Sequence, residues 1–298
     1  MKKAWIGLII VVIGIVVVEI FLRNYYGFCD TVIVQEDLDY EYIAQPNQNR
    51  YRFRHHVRYN TLSMRSEEVD TSANIILGFG DSVINGGVQT EQDSLATSIL
   101  SDELSETVGR KIQFLNISMG SWGPDNCFAY LRKHGNFGAQ GIYLFVSSHD
   151  AYDNMNFEKI VGVNESFPNT QYKSAIAELL IRYIIPRLGI FQGGTNDLGI
   201  NKKIENSTFN PGFDSFFAYS KENNIPLTLY LHAELSELEA NSYNDQGQEI
   251  IRFAEANNIR LIKDLDLGLQ SSEFRDDIHI NSSGQRKLAA RVLKNLEQ

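Results

Sequence analysis

The sequence predicts an α/β domain in which a parallel sheet is covered by helices on both faces, preceded by one membrane-spanning helix. Short apolar runs alternate with stretches whose apolar residues recur at helical spacing, a pattern typical of parallel strands joined by helices. The chain has 298 residues, a length that suits one α/β domain or two small ones. A long uncharged segment lies close to the N-terminus.

This N-terminal segment has the length and composition of a membrane span. Residues Ala4–Val18 carry no charge, and the apolar run continues past a single Glu19 to Leu22. As a helix, Ala4–Leu22 is about 28 Å long, close to the roughly 30 Å of a bilayer's hydrocarbon core. Because no polar face interrupts the run at helical period, a buried core helix is the less favoured interpretation.

The flanks of the segment distinguish an uncleaved anchor from a cleaved signal peptide. A cleavage site needs small residues in an A-x-A-like pattern, and Val16–Ile20 offers none. Lys2 and Lys3 favour a cytoplasmic N-terminus. We therefore predict that residues 1–24 form the transmembrane signal anchor of a single-pass membrane protein, and that the domain that follows is extracytoplasmic.

Charge and cysteine content exclude several classes of protein. The chain has 27 Lys and Arg against 37 Asp and Glu, a net charge of −10, which argues against nucleic-acid binding because that affinity depends on basic residues. Cys29 and Cys127 have no CxxC or histidine-rich neighbourhood, so they build neither a disulfide framework nor a zinc cage. One disulfide stays open as an alternative, with a buried free Cys127 favoured. The sequence predicts no cofactor.

Residues 25–72 are predicted to form a juxtamembrane segment that packs on the main domain. The segment is polar and rich in aromatic residues, and it shows no sustained period apart from an expected strand pair around Arg50–Tyr59. Six basic residues fall in this strand pair, and we interpret them as a solvated face of the hairpin rather than a phosphate-binding patch. They are Arg50, Arg52, Arg54, His55, His56 and Arg58.

Residues 73–298 are predicted to form the main domain. The residues 161–214, which include a helical piece at Ala175–Leu188, are expected to form an insertion beside the ligand-binding edge of the sheet. The predicted strands are Asn74–Phe79, Ile112–Ile117, Gly141–Val146, Pro226–Leu231 and Ile259–Ile262. The predicted helices are Asp93–Ser105, Asn126–Lys133, Asp245–Asn257 and Ser283–Leu296.

Polar residues follow the predicted strands at the edge where parallel sheets bind ligands. The segments are Gly80-Asp81-Ser82, Asn116–Ser121, Ser147–Asp150 and, near the C-terminus, Asp276–His279. A serine hydroxyl becomes a good nucleophile when an imidazole accepts its proton, and a carboxylate fixes that imidazole's tautomer and stabilises its cation. Serine, histidine and aspartate are all present in these segments, so they predict nucleophilic catalysis by a serine.

These segments, in this order, resemble the motifs of the SGNH, or GDSL-type, hydrolases. The intervals from Ser82 to the second and third segments fit that family, and the resemblance covers roughly Asn74–Gln298. The membrane anchor, followed by Asn60-x-x-x-Met64-Arg65-Ser66, is similar to an anchored subgroup associated with extracytoplasmic polysaccharide pathways. The resemblance implies a three-layer α/β/α fold of flavodoxin type.

The resemblance also implies roles for individual residues. Ser82 would be the nucleophile, His279 the general base and Asp276 the residue that orients it. The oxyanion hole would combine the backbone N–H of Ser82, a backbone N–H of the second segment and a side-chain donor of the third. The candidates for the two last donors are Gly120 or Ser121 and His149.

Two positions depart from the family pattern. Ser121 stands where the family has glycine, but any non-proline residue supplies a backbone N–H, so the donor survives. His149 stands where the family has asparagine, and an imidazole can also donate a hydrogen bond. A satisfied core histidine is the alternative interpretation of His149.

Four further assignments concern residues near the site. His232, which ends the fourth strand, and Asp150 are predicted to bind substrate, with a structural role for His232 equally weighted. A metal site built from His149, Asp150, Asp276 and His279 ranks low, because only Asp276 and His279 have suggestive spacing. Gly194-Thr195-Asn196-Asp197 spells the family's third motif literally, yet no buried strand precedes it, so we interpret it as a surface turn.

The resulting prediction is a membrane-anchored serine esterase that hydrolyses acyl esters, acetyl above all, on a carbohydrate or polysaccharide. One alternative is an O-acyltransferase, which uses the same three residues and differs in what excludes water. The other is a non-catalytic polysaccharide-binding scaffold with a degenerate oxyanion hole. No nucleic-acid partner is expected, and the sequence leaves protein partners open.

Overall fold

The chain begins with a long apolar helix. The computed structural model describes residues 2–188 and 208–296, and its first helix, α1, spans Lys2–Tyr26. Within the described residues, α1 is the one helix long and apolar enough to cross a membrane. Apart from Leu22, none of its side chains is buried, so the apolar surface of α1 faces outward.

Two antiparallel strand pairs follow α1. They are β1 (Val34–Asp37) with β2 (Glu41–Ala44), and β3 (Gln48–Arg52) with β4 (His55–Tyr59). The second pair confirms the predicted hairpin. The prediction of a uniformly solvated basic face is wrong, because the Arg52 side chain is buried against Glu178 at 2.6 Å. A buried charge of this kind requires an ion-pair partner.

A five-stranded parallel sheet forms the centre of the domain. Its spatial order is β6-β5-β7-β8-β9, which is the flavodoxin order because the first strand of the sheet lies between the second and the third. The predicted parallel sheet is therefore confirmed. The strands are β5 (Asn74–Gly80), β6 (Ile112–Ser118), β7 (Gly141–Ser147), β8 (Leu227–His232) and β9 (Arg260–Lys263).

Helices cover both faces of the sheet and confirm the three-layer architecture. Alternate residues of β5 point to opposite faces: Leu77 packs in one apolar cluster and Ile76 against the other. The first cluster takes residues from α4 (Pro124–His134), α6 (Pro211–Asn223) and α8 (Asp245–Ala256). The second takes residues from α2 (Ser82–Asn85), α3 (Ala96–Val108) and α9 (Ser282–Leu296). A further helix, α7, spans Leu235–Ala240.

The juxtamembrane segment holds the loop after β5 in place. Met64 and Arg65 are fully buried. The Arg65 guanidinium donates to the carbonyls of Asn85, at 2.5 Å, and of Thr90, at 2.7 Å, and also to that of Gly87. Three carbonyls from one loop thus converge on a single buried cation, which fixes the loop that begins at the end of β5.

The described part of the insertion packs on the N-terminal segment. It contains α5 (Ala175–Glu178), a π-helical stretch (Leu179–Ile184) and a 3₁₀ turn (Pro186–Leu188). Its ion pair with Arg52 and its packing on α1 hold it on that segment. The sequence predicted a different position, beside the carboxyl ends of the strands. The motif at residues 194–197 lies outside the described residues. Cys29 and Cys127 are both free, and Cys127 is buried as predicted.

Candidate active site

The end of β5 delivers Ser82 to the carboxyl edge of the sheet. Gly80 passes so close to β7 that an added Cβ would lie 2.8 Å from the Phe145 carbonyl oxygen, so only glycine fits there. Asp81 then caps α2 by accepting the N–H of Val83 at 2.8 Å. The cap turns the chain sharply, and Ser82 is left partly exposed at the first position of the helix.

Ser82, His279 and Asp276 form a continuous hydrogen-bonded chain. The Ser82 Oγ lies 2.9 Å from His279 Nε2, and both carboxylate oxygens of Asp276 lie 2.9 Å from His279 Nδ1. The structure therefore brings together the three predicted catalytic residues. The serine and the histidine are 197 residues apart in the chain. In this arrangement the Nδ1–H donates to Asp276, which leaves Nε2 free to accept the serine proton.

The segment that carries Asp276 and His279 is a tight turn. The Arg275 N–H donates to the His279 carbonyl at 2.8 Å, and Asp276 Oδ1 accepts the His279 N–H at 2.8 Å. Partial burial by itself raises the pKa of Asp276, but the hydrogen bonds from the ring and backbone of His279 outweigh it and lower that pKa below its ordinary value. Asp276 is thus held as a carboxylate, the form that orients an imidazole.

His232 lies behind this turn and does not reach the cleft, so its predicted substrate-binding role is wrong. The side chain is buried, with Nδ1 at 2.6 Å from Asp264 Oδ2 and Nε2 at 2.9 Å from the Ile278 carbonyl oxygen. Burial alone lowers the pKa of His232, but the Asp264 carboxylate outweighs it and raises that pKa. His232 is therefore a positioning residue that ties β8 to the turn between Asp276 and His279.

The backbone N–H groups of Ser82, Gly120 and Ser121 have no hydrogen-bond partner in the described part of the chain. The loop after β6 is fixed from behind by the Tyr42 hydroxyl, which donates to the Gly120 and Ser121 carbonyls at 3.1 and 2.9 Å. Ser121 has a φ of 57°, in the left-handed region that favours glycine. The structure thus explains why glycine is expected there and shows that serine adopts the same backbone conformation.

His149 lies at the end of β7, among three carboxylates. Its Nδ1 is 3.2 Å from Glu234 Oε1, while its Nε2 is 4.0 Å from Asp81 Oδ2 and 3.8 Å from Asp150 Oδ1. Burial alone lowers the pKa of His149, but the three carboxylates outweigh it and raise the pKa to about 10. His149 is therefore an imidazolium at neutral pH, next in space to the residue that precedes Ser82. No hydrogen bond joins His149 to Ser82 within the described residues.

Asp150 is buried and does not line the cleft, so its predicted substrate-binding role is also wrong. Its Oδ2 accepts the N–H of Ser147 at 2.7 Å, which closes the turn at the end of β7. Its Oδ1 has no hydrogen-bond partner in the described structure and faces the His149 ring. Burial raises the pKa of Asp150 well above its ordinary value, although the charge of the His149 ring lowers it, so the protonation of the two groups is linked.

Asp81, His149 and Asp150 are also the one group in the described residues whose atoms are placed to hold a metal ion. Their candidate ligand atoms lie within 4.8 Å of one another. Metal ligation requires a neutral imidazole, whereas the surrounding carboxylates raise the pKa of His149 to about 10. The charge of the imidazolium offsets part of the negative charge of Asp81 and Asp150 and would repel a second cation, so the arrangement favours a proton over a metal ion.

Sequence reasoning missed the polar groups that support the site from behind. Asn85 donates to the Ser118 carbonyl at 2.9 Å and accepts from the Tyr59 hydroxyl at 3.2 Å. Asn116 donates to the Ile84 carbonyl at 2.8 Å, so two asparagine side chains join α2 to β6. No local pattern marks Asn85, and Asn116 opens the polar segment Asn116–Ser121 without showing from the sequence alone that it supports α2. Their signal is the isolated polar residue within a buried strand or turn, which requires an internal partner.

Comparison with known proteins adds structural likenesses of low sequence identity. No family model matches the chain, and no curated protein matches it. Among solved structures, the chain is similar to a lipase/acylhydrolase from Enterococcus faecalis, at 13% identity, 75% of this chain, 95% of that chain and a TM-score of 0.44. It is likewise similar to a member of the lipolytic G-D-S-L family from Veillonella parvula, at 13% identity, 74% and 97% coverage and a TM-score of 0.40.

A third similar structure is a two-domain esterase active on acetylated mannans, at 11% identity and a TM-score of 0.44. The match covers 76% of this chain and 49% of that one, so the chain spans about half the length of the two-domain esterase.

Proposed function

We propose that the protein is a membrane-anchored serine esterase that hydrolyses short acyl esters, above all acetyl esters, on a carbohydrate. The observation that carries the proposal is the hydrogen-bonded chain from Ser82 Oγ through the His279 ring to Asp276, with 2.9 Å at each step. Each atom is placed for its chemical task without rearrangement. An intact arrangement of this kind also disfavours the alternative of a non-catalytic scaffold.

Acylation begins when the Ser82 Oγ attacks the carbonyl carbon of the ester and His279 Nε2 accepts the hydroxyl proton. The carbonyl oxygen becomes an oxyanion, stabilised by the N–H of Ser82, the N–H of Gly120 or Ser121, and the charged ring of His149. When the tetrahedral intermediate collapses, the bond to the sugar oxygen breaks. That oxygen leaves as a hydroxyl with the proton from His279, and the acyl group stays on Ser82.

Deacylation repeats these steps with water in place of serine. His279 Nε2 takes a proton from the water molecule, whose oxygen attacks the acyl carbonyl carbon. The bond to Ser82 Oγ breaks, and His279 returns the proton to that oxygen. The products are the free carboxylic acid and the regenerated enzyme. A sugar hydroxyl in place of water would give the O-acyltransferase.

The exposure of the site favours a large, polar substrate. The Asp276 side chain is 48% exposed, while that of His279 is 17% exposed. A catalytic group this open to solvent lies at the surface of the protein, not in an apolar tunnel that would enclose a long acyl chain. This supports an ester carried on a bulky carbohydrate, and it agrees with the resemblance of the anchored segment Asn60–Ser66 to proteins of polysaccharide pathways.

The membrane anchor is the second part of the proposal. The charge-free face of α1 is exposed along its whole length, and exposed apolar surface of this extent is stable in a bilayer, not in water. We propose that α1 crosses the membrane once and holds the domain outside the cytoplasm. Protease protection of the domain in intact cells would contradict this topology.

One experiment separates the three proposed activities. The full chain in detergent is incubated with acetylated xylan oligosaccharides, with and without an unacetylated oligosaccharide as acceptor, and free acetate and acetylated acceptor are measured. Release of acetate without transfer supports the esterase. Acetylation of the acceptor in preference to release identifies the acyltransferase, and neither product in protein that also resists a fluorophosphonate probe identifies the scaffold.

A further inference from the structure

Helix α1, which we propose crosses the membrane, is joined to the insertion by direct hydrogen bonds. Glu19 of α1 accepts the backbone N–H groups of Ala175 at 2.8 Å and of Ile176 at 3.0 Å, so it caps α5. Arg23 pairs with Glu19 at 2.8 Å and donates to the Lys173 carbonyl at 2.6 Å. These contacts involve backbone on the insertion side, so the start of α5 is fixed relative to α1.

A second set of contacts holds the segment Ala175–Ile184 beyond the start of α5. Glu178 is buried and pairs with Arg52 at 2.6 Å, and it also accepts the Cys29 N–H at 2.6 Å. The Tyr183 ring packs on the Phe28 ring, with 5.7 Å between ring centroids. Both ends of the segment from Ala175 to Ile184 are therefore attached to the chain where it emerges from α1.

The opposite face of this segment is apolar and exposed within the described part of the chain. Leu180, Ile181, Ile184 and Leu188 are 42%, 45%, 38% and 60% exposed. The first three lie within the π-helical stretch and Leu188 ends the 3₁₀ turn that follows it, so the exposed apolar side chains are close neighbours along the chain, while Glu178 is buried. A contiguous apolar face of this kind on a folded domain marks an interaction surface.

The end of α1 next to this face has the composition of a membrane interface. Phe21, Tyr25 and Tyr26 are exposed and in mutual contact: Phe21 stacks on Tyr25 with 5.1 Å between centroids, and the two tyrosines meet edge to face at 4.8 Å. Aromatic rings concentrate at the headgroup level of bilayers. The Arg54 guanidinium lies over the Tyr25 ring at 5.2 Å, which adds a cation for lipid phosphates at the same level.

From these contacts we propose that Leu180, Ile181, Ile184 and Leu188 insert into the outer interface of the bilayer beside α1, which makes the insertion a second membrane contact. This inference rests on the proposed membrane anchor. An ionised Glu19 avoids the hydrocarbon core, so it marks the level at which α1 leaves the core. Because Glu19 caps the start of α5, the exposed apolar face that follows α5 lies at the same level of the bilayer. This face therefore continues the lipid-facing surface of α1.

The bilayer is the occupant that these observations favour. A second copy of the chain or another protein would cover the apolar face, but neither explains the aromatic rings and the exposed cations on the adjoining surface. Arg23 and Arg182 on these elements pair with Glu19 and Glu178, and the further exposed basic side chains are Arg54, Lys173 and Arg187. They stand out against the net charge of −10 of the whole chain and match the phosphate groups of lipids.

The test uses an environment-sensitive fluorophore on single cysteines of the full-length protein in phosphatidylcholine vesicles. Cys29→Ser removes the partly exposed native thiol, and the buried Cys127 does not react. The reporters are Ile184→Cys on the apolar face, Val11→Cys within α1 and Glu106→Cys on the exposed surface of α3. A second face variant, Leu180→Cys, guards against a local effect, and circular dichroism checks that each labelled protein is folded.

Nitroxide-bearing lipids then report the depth of each fluorophore. We expect the Val11 label to be quenched most by a nitroxide near the ends of the acyl chains. The Ile184 and Leu180 labels should be quenched most by a nitroxide near the headgroup, and the Glu106 label should be quenched by neither. If the Val11 label is quenched and both face labels are not, the anchor stands and the second membrane contact is overturned. The same result is expected if another protein, and not the bilayer, covers the apolar face. Quenching of no label overturns the anchor and the second contact together.

Discussion

The Nδ1 of His149 and the Oε1 of Glu234 lie 3.2 Å apart, and this contact decides what the other ring nitrogen can do. A neutral imidazole carries one proton, which the Glu234 carboxylate keeps on Nδ1. Nε2 is then a donor only in the imidazolium. The oxyanion-stabilising ability of His149 therefore depends on its second proton, which Asp81 and Asp150 help to retain.

This relationship predicts the alkaline limb of the pH profile. His149 has a pKa raised to about 10, so its charge is present below that pH and lost as the pH rises through it. We expect kcat for a small aryl ester to fall with a midpoint near pH 10, after subtraction of the uncatalysed rate. Glu234→Gln removes one of the three carboxylates and should move the midpoint to lower pH. An unchanged alkaline limb in Glu234→Gln would contradict the role of this contact.

Substitution of His149 tests the donor directly. His149→Ala should lower kcat by about 10²- to 10³-fold, as removal of one oxyanion donor does, with little change in KM. His149→Asn should recover much of the loss, because an amide N–H₂ also donates, and its alkaline limb should vanish since asparagine does not titrate. Near-full activity of His149→Ala would show that the backbone N–H groups of the loop after β6 complete the oxyanion hole alone.

The positioning role of His232 predicts a coupled loss of stability and turnover. In His232→Gln both donor hydrogens sit on one nitrogen, whereas the imidazole contacts Asp264 and the Ile278 carbonyl through two separate ring nitrogens, so the turn that carries His279 loses a tether. We expect kcat to fall by up to roughly 10²-fold through misplacement, with KM nearly unchanged.

The same substitution should change how stability depends on pH. The folded-state pKa of His232 is raised, so its contribution is fully present below the unfolded-state pKa and is lost as the pH rises through the folded-state value. Urea unfolding of His232→Gln should lack that part of the pH dependence. A wild-type-like kcat together with lower stability would show that His232 stabilises the fold without positioning His279.

The buried pair of Arg52 and Glu178 predicts a large effect on stability. Both side chains are at most 1% exposed, so Glu178→Ala leaves an uncompensated buried charge and should lower the free energy of unfolding by about 3–5 kcal/mol. The matched control is Lys111→Ala, which breaks the exposed ion pair with Asp70 and should cost about 0–1 kcal/mol. Equal effects of the two substitutions in urea unfolding would contradict the account.

The sequence predicted the parts of the molecule whose signals are local. The strands β5 to β9 stand out because buried parallel strands are continuous apolar runs, and Ser82 and His279 stand out because functional residues follow such strands. Two of the errors concern long-range pairs. His232 and Arg52 look like cleft or surface residues in the sequence, since their partners Asp264 and Glu178 lie 32 and 126 residues away. Only the folded chain shows that each charge is neutralised inside.

The reaction of Ser82 with a fluorophosphonate probe tests most directly whether Ser82 is an activated nucleophile. The product is followed by mass spectrometry of the intact and digested full-length protein. If Ser82, His279 and Asp276 act as one unit, the wild-type protein should take up one probe on Ser82 and hydrolyse p-nitrophenyl acetate. Ser82→Ala and His279→Ala should each lower kcat by on the order of 10⁶-fold, and the double variant should lose little more, since the oxyanion hole supplies the residual rate. Undiminished ester turnover by a folded Ser82→Ala protein would contradict the account.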